Sequence, residues 1–272
     1  MADPVVSAPR VAWRGAVAQQ GERAVAREMP IALTYNRTTH AVMLGTPVDL
    51  EDFAVGFSLS EEIIGGVDEI LGLEIVEVPD GVECRMDLAP EKLSALTRRQ
   101  RRLAGPSGCG LCGLESLAQA IRPSPVVTVG REFTPAMVQE AMALMQPAQT
   151  LNAVTRAVHA AGFWTAERGL MALREDVGRH NALDKLSGAV ARAGVAASEG
   201  MVLLSSRVSI EMVQKAAIMG APVIVAISAP TSLAIEVADR AGITLIGVAR
   251  SDGFEVFTYP DRISSGEVRD VA

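Results

Sequence analysis

Two cysteines three residues apart, in Gly108-Cys109-Gly110-Leu111-Cys112-Gly113, are the residues of this chain best suited to covalent chemistry. The surrounding glycines let the backbone turn tightly and leave both thiols uncovered. Leu114 to Ile121 has helical periodicity, and the positive end of a helix dipole just beyond a thiol stabilises its thiolate. Arg98, Arg99, Arg101 and Arg102 precede the pair and act in the same direction, although their default reading is a solvated helix end. A thiolate of lowered pKa is nucleophilic at neutral pH, and a neighbouring thiol can resolve a disulfide or persulfide formed on the first. A zinc site would need two further ligands. His40, His159 and His180 stand apart, none in the His-x-Glu element that accompanies Cys-x-x-Cys in zinc deaminases, so no metal site is assigned. Cys84, inside a predicted strand, reads as an inert core residue.

A second group of polar residues follows the short apolar runs of the C-terminal half: Arg174 to Asn181, Ser205-Ser206-Arg207, Ser228 to Ser232, and Ala249-Arg250-Ser251-Asp252-Gly253. If those runs are parallel strands, all four segments share the carboxyl edge of the sheet, where α/β proteins bind ligands. They bring Arg179, Arg207 and Arg250 as cations, several hydroxyls, and helix starts at Asn181, Ser209 and Thr231. That is equipment for an anionic, phosphate-bearing ligand. Asp176 and Asp184 add acceptors for base or ribose donors, with helix capping the competing reading for Asp176, Ser209 and Thr231. His180 reads equally as a base, a ligand donor or a cap; His159, in an apolar strand, reads as structural. Neither a Gly-x-Gly-x-x-Gly nor a Walker loop is present, which excludes an ordinary dinucleotide or ATP site.

These residues must be positioned by a chain of 272 residues, 49% apolar but only 4% aromatic. Its core is therefore built from Ala, Val, Leu, Ile and Met, without a base- or sugar-stacking surface. A net charge of −7 argues against a nucleic-acid binder. No apolar run approaches the roughly 20 residues of a membrane span, and Met1 to Gly15 lacks a signal-peptide core, so a cytoplasmic protein without membrane contact is expected.

Four regions are expected. Residues 1–20 read as a flexible tail, and 21–104 as a smaller strand-rich α+β lobe. In that lobe strands 29–36 and 40–44 precede a helix over 49–64, with Asp49 as its cap and Gly65-Gly66 as its end. Strands 73–78 and 82–88 flank a Pro-Asp-Gly turn, and a helix spans 91–103. Residues 105–123 form a mobile cysteine loop and helix. Residues 124–272 alternate strand and helix, the pattern of an open, mostly parallel sheet with helices on both faces.

The cysteine segment, together with Arg174-Glu175-Asp176-Val177-Gly178-Arg179-His180-Asn181-Ala182-Leu183-Asp184-Lys185, resembles the FdhD/NarQ family of sulfurtransferases required for formate dehydrogenase activity. Thr46-Pro47, Phe53 to Phe57 with Ser60-Glu61, Ser206-Arg207 with Glu211-Met212-Val213 and Lys215-Ala216, and Ser228 to Thr231 also match, over about Met29 to Tyr259. The resemblance implies a homodimer with a cytidine-deaminase-like core, and a sulfur relay. In it a cysteine desulfurase loads a persulfide on Cys109, Cys112 assists or resolves, and sulfur passes to bis-molybdopterin guanine dinucleotide before that cofactor enters the formate dehydrogenase catalytic subunit. The cofactor is a ligand in this relay, and no tightly bound metal of the protein's own is implied. The resemblance places its guanine nucleotide on the C-terminal domain, with Val248, Ala249, Arg250, Ser251, Asp252 and Gly253 contributing. Asp176, Gly178, Arg179, His180, Ser206, Arg207 and Lys215 complete the expected binding set. A dithiol-disulfide oxidoreductase and a non-catalytic cofactor chaperone are the alternatives. The family often carries Thr-Gly-Gly before a histidine where this chain has Thr155-Arg156-Ala157-Val158-His159.

Overall fold

The chain is described by a computed structural model covering residues 2–92, 123–128 and 130–264. Residues expected as a flexible tail are instead paired: β1 (Val5–Arg14) and β2 (Val17–Ala26) form an antiparallel ribbon with Trp13 opposite Ala18 near its tip. The ribbon carries little buried apolar surface, which is why no strand signal marks it in the sequence.

The N-terminal lobe is a four-stranded sheet, order β4-β3-β6-β5, built from β3 (Met29–Tyr35), β4 (Thr38–Gly45), β5 (Ile70–Val78) and β6 (Gly81–Leu88). Alternation points Ile31, Leu33, Val82, Cys84 and Met86 to one face. There they bury against Leu50, Phe53, Ala54 and Phe57 of α1 (Leu50–Ser60). Burial pushes the Cys84 thiol up to about 12, as expected of an inert core cysteine. The helix differs from the sequence reading at both ends. Asp49 adopts a left-handed conformation (φ 52°) and its side chain caps nothing. The helix stops at Ser60, ahead of the two glycines, because Ile63 turns back to hydrogen-bond the Ser58 carbonyl.

In the C-terminal half come α2 (Pro135–Ala148), the short α3 (Thr150–Thr155), β7 (His159–Thr165), β8 (Gly169–Asp176) and α4 (Arg179–Arg192). They are followed by β9 (Gly200–Leu204), α5 (Ile210–Met219), β10 (Val223–Ala226), α6 (Ser232–Arg240), β11 (Thr244–Arg250) and β12 (Gly253–Val256). The sheet order is β12-β11-β10-β9-β7-β8. Strands β9, β10 and β11 are parallel, while β7 is antiparallel to both β9 and β8. Strand β8 therefore runs with β9, β10 and β11, and all four end at one edge. One face of the sheet (Val202, Leu204, Ile224, Leu245) buries against α4, α5 and α6; the other (Met201, Leu203, Val223, Ile246) buries against α2. The expected open α/β layer with helices on both faces is what forms.

The two halves meet where α1 crosses α4. Gly56 and Gly188 face each other there, and a Cβ built on Gly56 would lie 1.7 Å from the Asp184 carbonyl oxygen. Asp52 on α1 adds ion pairs to Arg174 of β8 and Arg192 of α4.

Arg156 closes α3 at φ 58°, ψ 29°, the left-handed state that glycine enters freely and other residues enter at a cost of about 1–2 kcal/mol. It is the position at which the resemblance drawn from the sequence leads one to expect glycine. After allowing for the greater freedom of glycine in the unfolded chain, Arg156→Gly is expected to stabilise by about 0.5 kcal/mol. Chemical denaturation checks this, and a variant less stable than the parent contradicts it.

Candidate functional site

The motif from Arg174 to Lys185 divides into residues that hold the two halves together and residues that face outward at the sheet edge. Asp176, fully buried, ends β8 and uses both carboxylate oxygens. Oδ2 accepts the Thr46 amide (2.9 Å) and pairs with Lys185 Nζ (2.7 Å), while Oδ1 accepts the Gly178 amide (2.8 Å) and Asn181 Nδ2 (3.0 Å). Lys185 Nζ also donates to the Thr46 carbonyl (2.9 Å), and the Val177 amide donates to Thr46 Oγ1 (3.2 Å). Asn181 reaches the Leu44 carbonyl as well (2.8 Å). It lies inside α4, whose cap position is Gly178, so the helix begins earlier than the sequence suggested. Thr46, whose role the sequence did not show, is the N-terminal lobe's half of this latch.

A second latch joins Ser60, Asp184 and Lys215. Ser60 Oγ donates to Asp184 Oδ1 (2.6 Å), and Lys215 Nζ contacts both Asp184 oxygens at 2.6 and 2.8 Å. Burial still pushes the Asp184 carboxyl above its ordinary value, against the lowering effect of Lys215. Lys215, expected as a ligand contact, thus spends its charge on Asp184.

What remains at the edge is a set of three arginines. Arg179 opens α4, Arg207 follows β9 and Arg250 ends β11; among the described residues none of the three forms an ion pair with a carboxylate. Between β8 and β11 lie four strand spacings, roughly 19 Å. The three arginines are therefore spread along one edge at a scale suited to an extended ligand. Ser206 is buried, with its hydroxyl donating to the Arg207 carbonyl (3.0 Å). Thr231 caps α6 by accepting the Ala234 amide, whereas Ser209 occupies the cap position of α5 without capping it.

Val248 sits at φ 51°, where a β-branched residue is held only by its surroundings. It lies in the β11–β12 irregularity between Gly247 and Arg250, and its amide donates to the Ser228 carbonyl (3.3 Å). The constraint fixes the start of the segment Val248 to Gly253, with Arg250, Ser251 and Asp252 exposed beyond it.

His180 is largely buried. Desolvation, then the charges of Arg179 and Lys215, pull its pKa down to about 4 against an opposing pull from Glu211. His159, across the edge at the start of β7, is also lowered by burial and Arg179. Because the unfolded chain protonates His180 near its ordinary 6.5, it binds more protons than the native state between those two values. This contribution is complete above about pH 6.5 and is lost as pH falls towards 4. Between about pH 7 and pH 5 it should remove roughly 2 kcal/mol of stability, a loss that His180→Gln should lack. Urea unfolding at both pH values decides this: equal acid sensitivity of the two proteins refutes it.

Cys109 and Cys112 lie outside the described residues, as do Arg98, Arg99, Arg101 and Arg102 and nearly all of the helices expected over 91–103 and 114–121. Among the described residues no group of three or more His, Cys, Asp and Glu side chains is arranged to hold a metal ion. No helix among them is long and apolar enough to cross a membrane.

The fold is an open α/β sheet whose carboxyl edge carries three arginines, the class in which ligands sit beyond the strand ends. Residues 26–264 match the FdhD/NarQ family, and the chain belongs to it. It is 53% identical over 255 residues to the sulfur carrier protein FdhD of Agrobacterium fabrum, covering 93% of this chain and 94% of that one. Identity to the sulfur carrier protein FdhD of Brucella abortus is 50% over 246 residues, 90% and 91% of the respective chains. The fold also matches the crystal structure of a protein described as a formate dehydrogenase accessory protein from Desulfotalea psychrophila. The TM-score is 0.75 at 26% identity, over 96% of this chain and all of that one.

Proposed function

We propose that this chain is a sulfurtransferase that carries persulfide sulfur from a cysteine desulfurase to bis-molybdopterin guanine dinucleotide, in support of formate dehydrogenase. The observation that carries the ligand half of this reading is the delivery of Arg179, Arg207 and Arg250 to one carboxyl edge by strands running in the same direction. Phosphate oxygens of a dinucleotide match guanidinium donors. The sulfur half rests on the cysteine pair and on relatives named as sulfur carriers. Cytoplasmic location and a homodimeric state belong to the same reading.

In the loading step the Cys109 thiolate attacks the terminal sulfur of the donor's persulfide. The donor's S–S bond breaks, its thiolate leaves, and Cys109 keeps the sulfane sulfur. Attack by the Cys112 thiolate on the Cys109 sulfur would then release hydrosulfide to the acceptor and leave a Cys109–Cys112 disulfide. Bound at the edge, the ligand is held through its phosphates by the arginines, while the Asp176 and Asp184 latches keep the loops in place.

Intact-mass analysis of the full chain after incubation with a cysteine desulfurase and cysteine should show a gain of one sulfur, and Cys109→Ala should show none. Equal loading without Cys109 overturns the assignment. Formate dehydrogenase activity that survives serine at both cysteines replaces it with the chaperone reading.

A further inference from the structure

At the sheet edge two ionisable side chains face each other without a partner. His180 Nε2 and Glu211 Oε2 stand 4.0 Å apart, beyond hydrogen-bond reach, and neither atom has any other partner although both are closed to solvent. Ser209 Oγ, two residues before Glu211 at the head of α5, is buried and partnerless too. Native interiors leave few such atoms unmet, because each forfeits the hydration it had in the unfolded chain.

The surrounding charges show what is missing. His180 is neutral at physiological pH, so it offers Glu211 no ion pair. Lys215, one turn along α5, is bound to both oxygens of Asp184. On an edge otherwise furnished with arginines, the Glu211 oxygen is an acceptor without a donor, and the group that satisfies it must supply an N–H or O–H. The two side chains are each 16% exposed, so although the facing atoms are covered, the pair lies just beneath the surface of the edge.

We propose that Glu211 is a specificity residue that reads the donor edge of the ligand's guanine, accepting hydrogen bonds from the ring N–H and the exocyclic amino group. The proposal rests on the reading that the ligand carries a guanine nucleotide, and it adds how that base is told from others. A buried acceptor rejects a base without the matching donor, because its oxygen is then left unpaired.

Calorimetric titration of the full-length protein with GDP, IDP and ADP tests it, since IDP lacks only the exocyclic amine. The parent protein should bind GDP on the order of tenfold or more tighter than IDP, and ADP more weakly still. In Glu211→Gln the GDP-to-IDP ratio should fall towards one, chiefly through weaker GDP binding. Equal affinity of the parent protein for GDP and IDP overturns the proposal and needs no variant. An unchanged ratio in Glu211→Gln also overturns it and leaves the function standing. If none of the three nucleotides binds, the guanine reading itself fails, and this proposal with it.

Discussion

Gly188→Ala is expected to lower stability by about 3 kcal/mol or more, and the midpoint of thermal unfolding by roughly 10 °C. Helix propensity alone predicts the opposite sign, since alanine in a helix interior is favoured over glycine by about 1 kcal/mol. The crossing of α1 over α4 reverses that preference. A Cβ on Gly188 would lie 1.9 Å from the Asp52 carbonyl oxygen and 2.9 Å from the Gly56 nitrogen, so the obstacle is backbone and no side chain can rotate away. The helices would have to separate, taking with them the ion pairs of Asp52 to Arg174 and Arg192 and the contact of Ser60 with Asp184. Gly21, on the ribbon, has nothing within 4 Å of its Cβ position, and Gly21→Ala is the matched control, expected to be near neutral. Thermal unfolding of both variants checks the argument; a Gly188→Ala protein as stable as the parent would show that the crossing is not close-packed.

The order of strands and helices was legible because each buried element has the period its environment demands. β9 and β10 are covered on both faces and read as unbroken apolar runs, and α5 and α6 show apolar faces. The shared edge followed from that pattern alone. The ribbon was not legible, since Pro9 and Gly21 interrupt strands whose outer halves bury almost nothing. Nor was the division of labour within the polar motif. Asp176 looks as able to meet a ribose as Arg179 to meet a phosphate, and only the fold shows that Thr46, 130 residues away, has already claimed its oxygen. Lys215 was misleading for the same reason: its partner Asp184 lies on another helix. Glu211 was visible only as part of a motif, because its distinguishing property is an absent partner, and no local pattern encodes that.

Lys185→Met is expected to cost about 3–5 kcal/mol, the range for removing one member of a buried ion pair. Methionine fills the stem of the lysine, so the loss comes from charge rather than volume. Asp176 keeps its donors from Thr46, Gly178 and Asn181, but these are neutral dipoles, and an anion with no exposure to water is left without a counter-charge. The Thr46 carbonyl loses its donor in the same change. If charge is the cause, neutralising the partner should compensate: Lys185→Met combined with Asp176→Asn should recover about 1–2 kcal/mol relative to Lys185→Met alone. Recovery will be incomplete, because an asparagine amide keeps only one acceptor oxygen and turns its NH2 donor towards N–H groups that need an acceptor. The latch also sets the turn from Asp176 to His180, so in Lys185→Met guanine nucleotide affinity should fall more than in a surface variant of equal stability. Urea unfolding and nucleotide titration on the single and double variants separate these effects. A double variant no more stable than the single would assign the loss to packing around Thr46 instead of to the stranded charge.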